Sequence, residues 1–171
     1  LGSKQAHVIG HDWGGAIAWS LAISNPEVVQ TLGICNIPHP ANFLKGLRTF
    51  AQLKRSWYIF FFQIPFLPEK FLARNNYQRF ARSMYGIGAN TDEDINFYVD
   101  SWQKYGLSGG INWYRAMARN IFLRGAKQKA GNLFSPTVEN LNKSMQVTAR
   151  TTMIWGEKDF ALGKELTFDT D

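Results

Sequence analysis

Hydrophobic and polar positions change their period twice along this chain. Residues 4–10 (KQAHVIG) end in a short apolar run closed by glycine, the mark of a buried strand. Residues 13–24 place apolar side chains at helical spacing, with Ala16, Trp19, Leu21 and Ile23 on the repeat. Asn25-Pro26 ends that helix, because a proline pushes the residue before it out of helical geometry. Residues 28–36 (VVQTLGICN) read as a second buried strand, and residues 36–40 (NIPHP) as a rigid loop. From there to about residue 144 the pattern becomes one of amphipathic helices joined by short loops. The helices are expected over residues 42–54, 57–62, 68–85, 92–104 and 109–119. Thr91-Asp92-Glu93-Asp94 is an N-terminal capping signature with acid in the first turn. Residues 146–155 (QVTARTTMIW) are β-branched and apolar at their end, a third strand. Residues 156–159 form a turn, and residues 163–168 start a helix. No internal repeat and no low-complexity segment is present.

Strand, helix and strand joined by tight turns define a parallel α/β unit. A helical block interrupts it, and the sheet then resumes. An insertion of that kind caps the carboxyl ends of the strands, where ligands bind in such sheets. The domain reading is therefore residues 1–40 and 146–171 as parts of one core and residues 41–145 as a helical cap.

Composition supports a globular domain with a core: 45% of residues are hydrophobic and 19% charged. Aromatics reach 15%, which calls for large apolar surfaces in a core or a pocket. The net charge of +6 is uneven. Residues 41–145 carry fifteen Lys and Arg against six Asp and Glu, whereas the two flanking segments are slightly acidic. The basic residues are scattered and no nucleic-acid motif accompanies them, so a solvated face is the reading, with no nucleic-acid partner. An acidic membrane surface is left open without a motif to support it. The most apolar stretch, residues 57–67, is interrupted by Gln63 and Pro65 and falls well short of the roughly twenty residues of a spanning helix. The one cysteine, Cys35, sits in an apolar run and is expected to be a small buried residue. No ligand cluster has metal spacing, and no cofactor is implied.

The candidate chemistry centres on Gly10-His11-Asp12-Trp13-Gly14-Gly15, between a strand and a helix. That is the setting of a nucleophile elbow, in which the residues two before and two after the nucleophile are small because the turn is sharp. Gly10 and Gly14 meet that demand. Asp12 holds the nucleophile position, and a carboxylate can attack carbon to form an ester without first losing a proton at neutral pH. The helix starting at Trp13 brings backbone N–H groups and a positive dipole end beside it. The other reading is that Asp12 only caps that helix.

His-Asp-Trp-Gly-Gly after a strand resembles the epoxide hydrolases and haloalkane dehalogenases of the α/β-hydrolase fold. Residues 7–19 (HVIGHDWGGAIAW), 36–40 (NIPHP), 56–62 (SWYIFFF), 112–119 (NWYRAMAR) and 152–159 (TMIWGEKD) resemble epoxide hydrolase signatures in the expected order. The resemblance covers nearly the whole chain. It implies a partial α/β-hydrolase parallel sheet with an inserted helical cap. It makes Asp12 the nucleophile, Tyr58 and Tyr114 the two cap tyrosines that hydrogen-bond the epoxide oxygen, and Asp159 the acid that orients a catalytic histidine. Trp13 would give a backbone donor to the oxyanion hole. The implied reaction opens an epoxide through an alkyl–enzyme ester and hydrolyses the ester to a vicinal diol. The implied partner is a small, apolar epoxide, with Phe60, Phe61, Phe62 and Phe66 close to Tyr58 in the sequence.

Each residue also has a structural reading. Tyr58 and Tyr114 can be ordinary core tyrosines with a polar tip, and Asp159 can be a turn residue. His11 reads as structural or as support for the oxyanion hole, His39 as a loop-shaping or pocket-rim residue, and His7 as packing. Two alternatives to an epoxide hydrolase stay open: a haloalkane dehalogenase, and a non-catalytic hydrolase remnant whose cap binds a hydrophobic partner. The family pattern also has a His-Gly-x-Pro loop upstream and a catalytic histidine well after the acid. None of His7, His11 and His39 holds that later place. The expectation is a fragment without the N-terminal strands and without the base needed for turnover.

Overall fold

A computed structural model describes residues 2–85, 91–131 and 145–168, with the side chains of residues 85 and 121–131 left out. It divides into two compact units, Leu1–Trp57 with Phe134–Asp171, and Tyr58–Leu133.

In the first unit, strand β1 (Ala6–His11) leads through one residue into helix α1 (Trp13–Ser24). A short 3-10 turn over Pro26–Val28 then returns the chain into strand β2 (Val29–Cys35). Strand β3 (Arg150–Ile154) completes a parallel sheet of order β1-β2-β3, so β2 is central. Alternation along β2 sends Leu32 and Ile34 into a core with Ala18, Trp19 and Ala22 of α1, joined by Val29 from beyond a register shift at the strand's start and by Val8 and Met153. The opposite face carries Ile9 and Ile154, 80% and 62% exposed. Gly33 opposes Ile9 there, and a Cβ at Gly33 would stand 3.1 Å from the Ile9 side chain. Cys35, on that face at the strand's end, is half-buried rather than buried. His7 is exposed and bonded to the Thr31 hydroxyl at 2.8 Å, so it is a surface partner and not a packing residue.

The helical stretch expected over residues 42–54 is two helices, α2 (Pro40–Gly46) and α3 (Phe50–Arg55). The break has a physical cause. Thr49 is extended (φ −95°, ψ 139°) and caps α3, its hydroxyl accepting from the Gln52 N–H. Both helices belong to the first unit.

Helix α4 (Trp57–Phe61) leads into the second unit, which also holds α5 (Leu67–Leu72), α6 (Gln78–Tyr85), α7 (Asp92–Tyr105) and α8 (Ser108–Gly131). The helix expected over residues 68–85 is interrupted where Asn75, Asn76 and Tyr77 all take positive φ, a conformation that cannot continue a right-handed helix. Thr91 and Asp94 form the reciprocal capping box of α7, and those bonds hold the exposed Asp94 carboxyl below its ordinary range. Ala81, Ile95 and Val99 make the core between α6 and α7, with Tyr77 and Trp102 packed on it. Helix α8 runs well past the expected end at residue 119. The third strand is shorter than its β-branched pattern, starting at Arg150 rather than at residue 146. Among the described residues, no helix is long and apolar enough to cross a membrane.

Candidate active site

Asp12 sits at the corner between β1 and α1 with φ 50° and ψ −123°. That is a left-handed conformation, which a non-glycine residue holds only when its surroundings impose it. The imposing contacts are on both sides. The Asp12 N–H donates to the Cys35 carbonyl at 3.2 Å, and the Asp12 carbonyl accepts from the Ala16 N–H at 3.0 Å. The turn folds so tightly that a Cβ on Gly10 would lie 2.5 Å from the Gly14 carbonyl oxygen and 2.7 Å from the Gly15 Cα. A Cβ on Gly15 would run into the Ile37 side chain. Gly14 is different: a Cβ there meets nothing within 4 Å. The smallness that the corner demands therefore lies at Gly10 and Gly15, and Gly14 supplies only slim backbone. The Asp12 side chain makes no capping bond to α1 and is exposed, which removes the reading of Asp12 as a mere side-chain cap. Trp13 opens α1 and is half-buried.

Asp159 lies in the turn that follows β3. Its N–H donates to the Gly156 carbonyl at 3.0 Å. One carboxylate oxygen, Oδ1, accepts from the Ala161 and Leu162 N–H groups, both at 2.9 Å. The other, Oδ2, accepts from the Asn36 side-chain amide at 2.8 Å. Asn36 directly follows β2, with φ 48°, and its Oδ1 accepts from the Gly156 N–H at 3.1 Å. Gln52 on α3 is fully buried and holds the far side of the same turn. Its amide donates to the Ala161 carbonyl at 2.9 Å and accepts from the Gly163 N–H at 3.3 Å. Asp12 and Asp159 thus both follow the carboxyl ends of parallel strands, linked through Cys35 and Asn36 at the end of β2. Asn36 and Gln52 were not singled out from the sequence. Asn36 had one legible signal, its place right after a strand in NIPHP; a buried Gln on a short amphipathic helix has none.

The three histidines have other tasks. His39 caps α2, its Nδ1 accepting from the Ala41 N–H at 3.3 Å, while its Nε2–H donates to the Met145 carbonyl at 2.9 Å. Its ring stands edge-on to Trp19, centroids 5.0 Å apart. Burial lowers its pKa below 6.5, Lys45 lowers it further, and the bond to Met145 opposes both. His11 ends β1 opposite Cys35 and is exposed. None of the three bonds Asp159.

In the second unit, Tyr58 on α4 and Tyr114 on α8 are brought together, ring centroids 5.7 Å apart and nearly perpendicular. Phe62 packs edge-on against both, at 5.8 and 5.0 Å. Gln63 ties the two helices by donating to the Ile59 carbonyl at 2.8 Å and the Tyr114 carbonyl at 3.4 Å. Arg115 does more: it donates to the carbonyls of Phe62 and Ile64, at 2.9 and 3.0 Å, and forks onto the Glu69 carboxylate at 2.6 and 3.2 Å. The Arg115 bonds hold the Glu69 carboxyl below its usual range. Both tyrosines are half-buried. Among the described residues, no group of three or more His, Cys, Asp or Glu side chains could hold a metal ion.

A sharp strand-to-helix corner with a strained Asp, a parallel sheet and an acid after a later strand define a class, and residues 1–165 match the model of the alpha/beta hydrolase fold family: the chain belongs to that family. Among its relatives, epoxide hydrolase 4 of Homo sapiens is 38% identical over 97% of this chain and 43% of its own length. An AB hydrolase superfamily protein, YfhM of Bacillus subtilis, is 34% identical over 98% of this chain and 54% of its own. Among solved structures, a point variant of an epoxide hydrolase from Bacillus megaterium superposes with a TM-score of 0.71 at 27% identity, covering 99% of this chain and 58% of that one. Another variant of that enzyme, with a TM-score of 0.70, is complexed with its naphthyloxy-propane-1,2-diol product. The chain spans about half the length of the curated relatives it matches.

Proposed function

We propose that these residues are the nucleophile, cap and acid of an epoxide hydrolase. The observation that carries the reading is Asp12, held at positive φ on a glycine-lined corner with its carboxylate uncommitted to helix capping. In this reading the Asp12 carboxylate attacks a ring carbon, the carbon–oxygen bond of the epoxide breaks, and Tyr58 and Tyr114 hydrogen-bond the departing oxygen and supply its proton. A phenol, with a pKa near 10, suits that step because an alkoxide leaves poorly until a donor meets it. The product is an alkyl ester on Asp12. Water then adds to the ester carbonyl, the Trp13 N–H helps to hold the oxyanion, and a histidine oriented by Asp159 takes the water's proton. The acyl carbon–oxygen bond of the ester then breaks, the departing alkoxide takes the histidine's proton to become the vicinal diol, and the proton left on the Asp12 carboxyl restores the phenol and returns the carboxylate. That histidine is not His7, His11 or His39. The second unit serves as the cap, and its aromatic cluster favours an apolar epoxide, in keeping with the naphthyloxy product bound by the Bacillus megaterium relative.

The test is to incubate the 171-residue chain with an aryl epoxide and map covalent adducts by mass spectrometry. One adduct on Asp12, lost in Asp12→Asn and formed on the order of 100-fold more slowly in Tyr58→Phe with Tyr114→Phe, is the expected result. An adduct elsewhere, or none, overturns it. Sustained diol release by this chain alone would show that one of its own histidines is the base. Halide release from a haloalkane, without reaction with the epoxide, would move the assignment to a dehalogenase.

A further inference from the structure

We propose that Asn36 is the positioning residue for Asp159: its side-chain amide pins one carboxylate oxygen so that this oxygen's remaining lone pair is the acid's open acceptor toward a histidine. The inference rests on the reading of Asp159 as the histidine-orienting acid. A carboxylate offers about four lone-pair sites. Two backbone N–H groups, Ala161 and Leu162, take both sites on Oδ1. Asn36 Nδ2 takes one site on Oδ2 at 2.8 Å. One site on Oδ2 is left, and the carboxylate plane is set by the other three.

The amide that does this is itself over-determined. Its Oδ1 accepts from the Gly156 N–H, and its backbone N–H donates to the Ile154 carbonyl at 3.0 Å. A flipped amide would set oxygen against carboxylate and NH2 against N–H, so the orientation is decided by the network. Asn36 reaches this place with φ 48°, a conformation that Asn tolerates better than most residues. A Cβ at Gly156 would stand 3.3 Å from Asn36 Nδ2, so Gly156 leaves room for the amide.

Holding the turn shut does not need the bond to Asp159. Strands β2 and β3 already pair from Thr31 with Arg150 to Cys35 with Ile154, and the turn is closed by Asp159 N–H to Gly156 and by the two bonds on Oδ1. What the Nδ2 bond adds is the rotation of the carboxylate. A neutral amide is also the right donor for that task. It orients the group without cancelling its charge, which must later stabilise an imidazolium. A Lys or Arg in its place would compete with the histidine.

The test measures the two half-reactions separately in the gene product that carries this chain: formation of the ester on Asp12 in a single turnover, and its hydrolysis. Asn36→Gly keeps the positive φ and removes the amide. Asn36→Asp keeps the positive φ and an acceptor for Gly156, but faces Asp159 with a second anion in place of a donor. The expected result for both is unchanged ester formation with hydrolysis slowed on the order of 10- to 100-fold, so that the ester accumulates. In an Asp159→Asn background, Asn36→Gly should add no further slowing, because it acts through the residue already removed. Hydrolysis at the parent rate in Asn36→Asp overturns the proposal, since the amide would then serve only Gly156. Equal slowing of both half-reactions, or effects of the two positions that multiply, also overturns it. Should Asn36→Gly not fold, Asn36→Asp carries the test alone. If Asp159→Asn stalls at the ester while the Asn36 variants turn over normally, the positioning role falls and the acid stands. If Asp159→Asn hydrolyses the ester at the parent rate, both fall.

Discussion

The two regions that carry the candidate chemistry are built on different principles. In the first unit, Asp12 and Asp159 are held mostly by backbone: a positive φ, a glycine contact with no room for a methyl group, and one Asp159 carboxylate oxygen bonded to two successive N–H groups. In the second unit, Tyr58 and Tyr114 are held by side chains: perpendicular rings, Phe62 packed against both, and the amide and guanidinium of Gln63 and Arg115 binding the carbonyls beneath. Backbone-built sites tolerate almost no change at one or two positions and much change elsewhere. Side-chain-built sites spread the same demand over many contacts, each of which can be weakened separately.

That contrast is broken most sharply at Gly10. Gly10→Ala forces a Cβ against backbone that cannot step aside, and we expect a loss of about 3 kcal/mol of stability together with loss of the Asp12 adduct. Gly14→Ala, four residues on, should leave stability unchanged or raise it by up to about 1 kcal/mol, since a Cβ there meets nothing and Ala favours the helix. Urea unfolding of the pair decides it; equal losses would mean that the corner does not depend on the Gly10 contact.

A smaller effect is expected in the second unit. Arg115→Met leaves the carbonyls of Phe62 and Ile64 without a protein donor and strips Glu69 of its forked partner, with the two side chains 22% and 23% exposed. Thermal unfolding should show a cost of about 2 kcal/mol, and Arg115→Lys should recover less than half of it, because an ammonium cannot fork onto a carboxylate. Full recovery by lysine would show that charge alone, and not geometry, holds this region.

The smallest effect belongs to His39, which fixes the start of α2 to Met145 by one bond of each polarity. Its pKa in the folded chain lies below 6.5, so the unfolded chain binds this proton first as pH falls. The stabilisation from the neutral ring is complete above about pH 6.5 and is lost as pH drops through the folded value. His39→Gln, which cannot titrate, should therefore flatten the decline of stability with acid below pH 6.5. An unchanged slope would assign that decline to other groups.

Much of this arrangement was legible beforehand, and the reasons differ by element. Helix α1 could be bounded at both ends, because its apolar spacing and the Asn25-Pro26 stop are local signals. The capping box at Thr91 and the strands β1 and β2 are local too. In two helices the apolar period runs on through residues whose backbone does not: the extended Thr49, and Asn75 to Tyr77 at positive φ. The third strand outruns its backbone in the same way. Residues 146–149 have strand-like side chains, but the register of β2 with β3 starts only at Arg150.

At the candidate site the sequence alone determined which residues carry chemistry: a carboxylate at a Gly-x-Asp-x-Gly corner, a second one in a turn after a strand, and two tyrosines in Trp-Tyr motifs. Those are choices of functional group and of local geometry, and both are written in short stretches of chain. Only the tertiary structure decided who holds them. It placed the Asn36 amide on Asp159, Gln52 under the same turn, Tyr114 against Tyr58 and Phe62, and His39 on Met145 instead of on the acid. Apart from the one-turn neighbours Tyr58 and Phe62, each of these is a contact between segments far apart in the chain. No local period or propensity encodes such a contact; packing creates it when the sheet and the helices close.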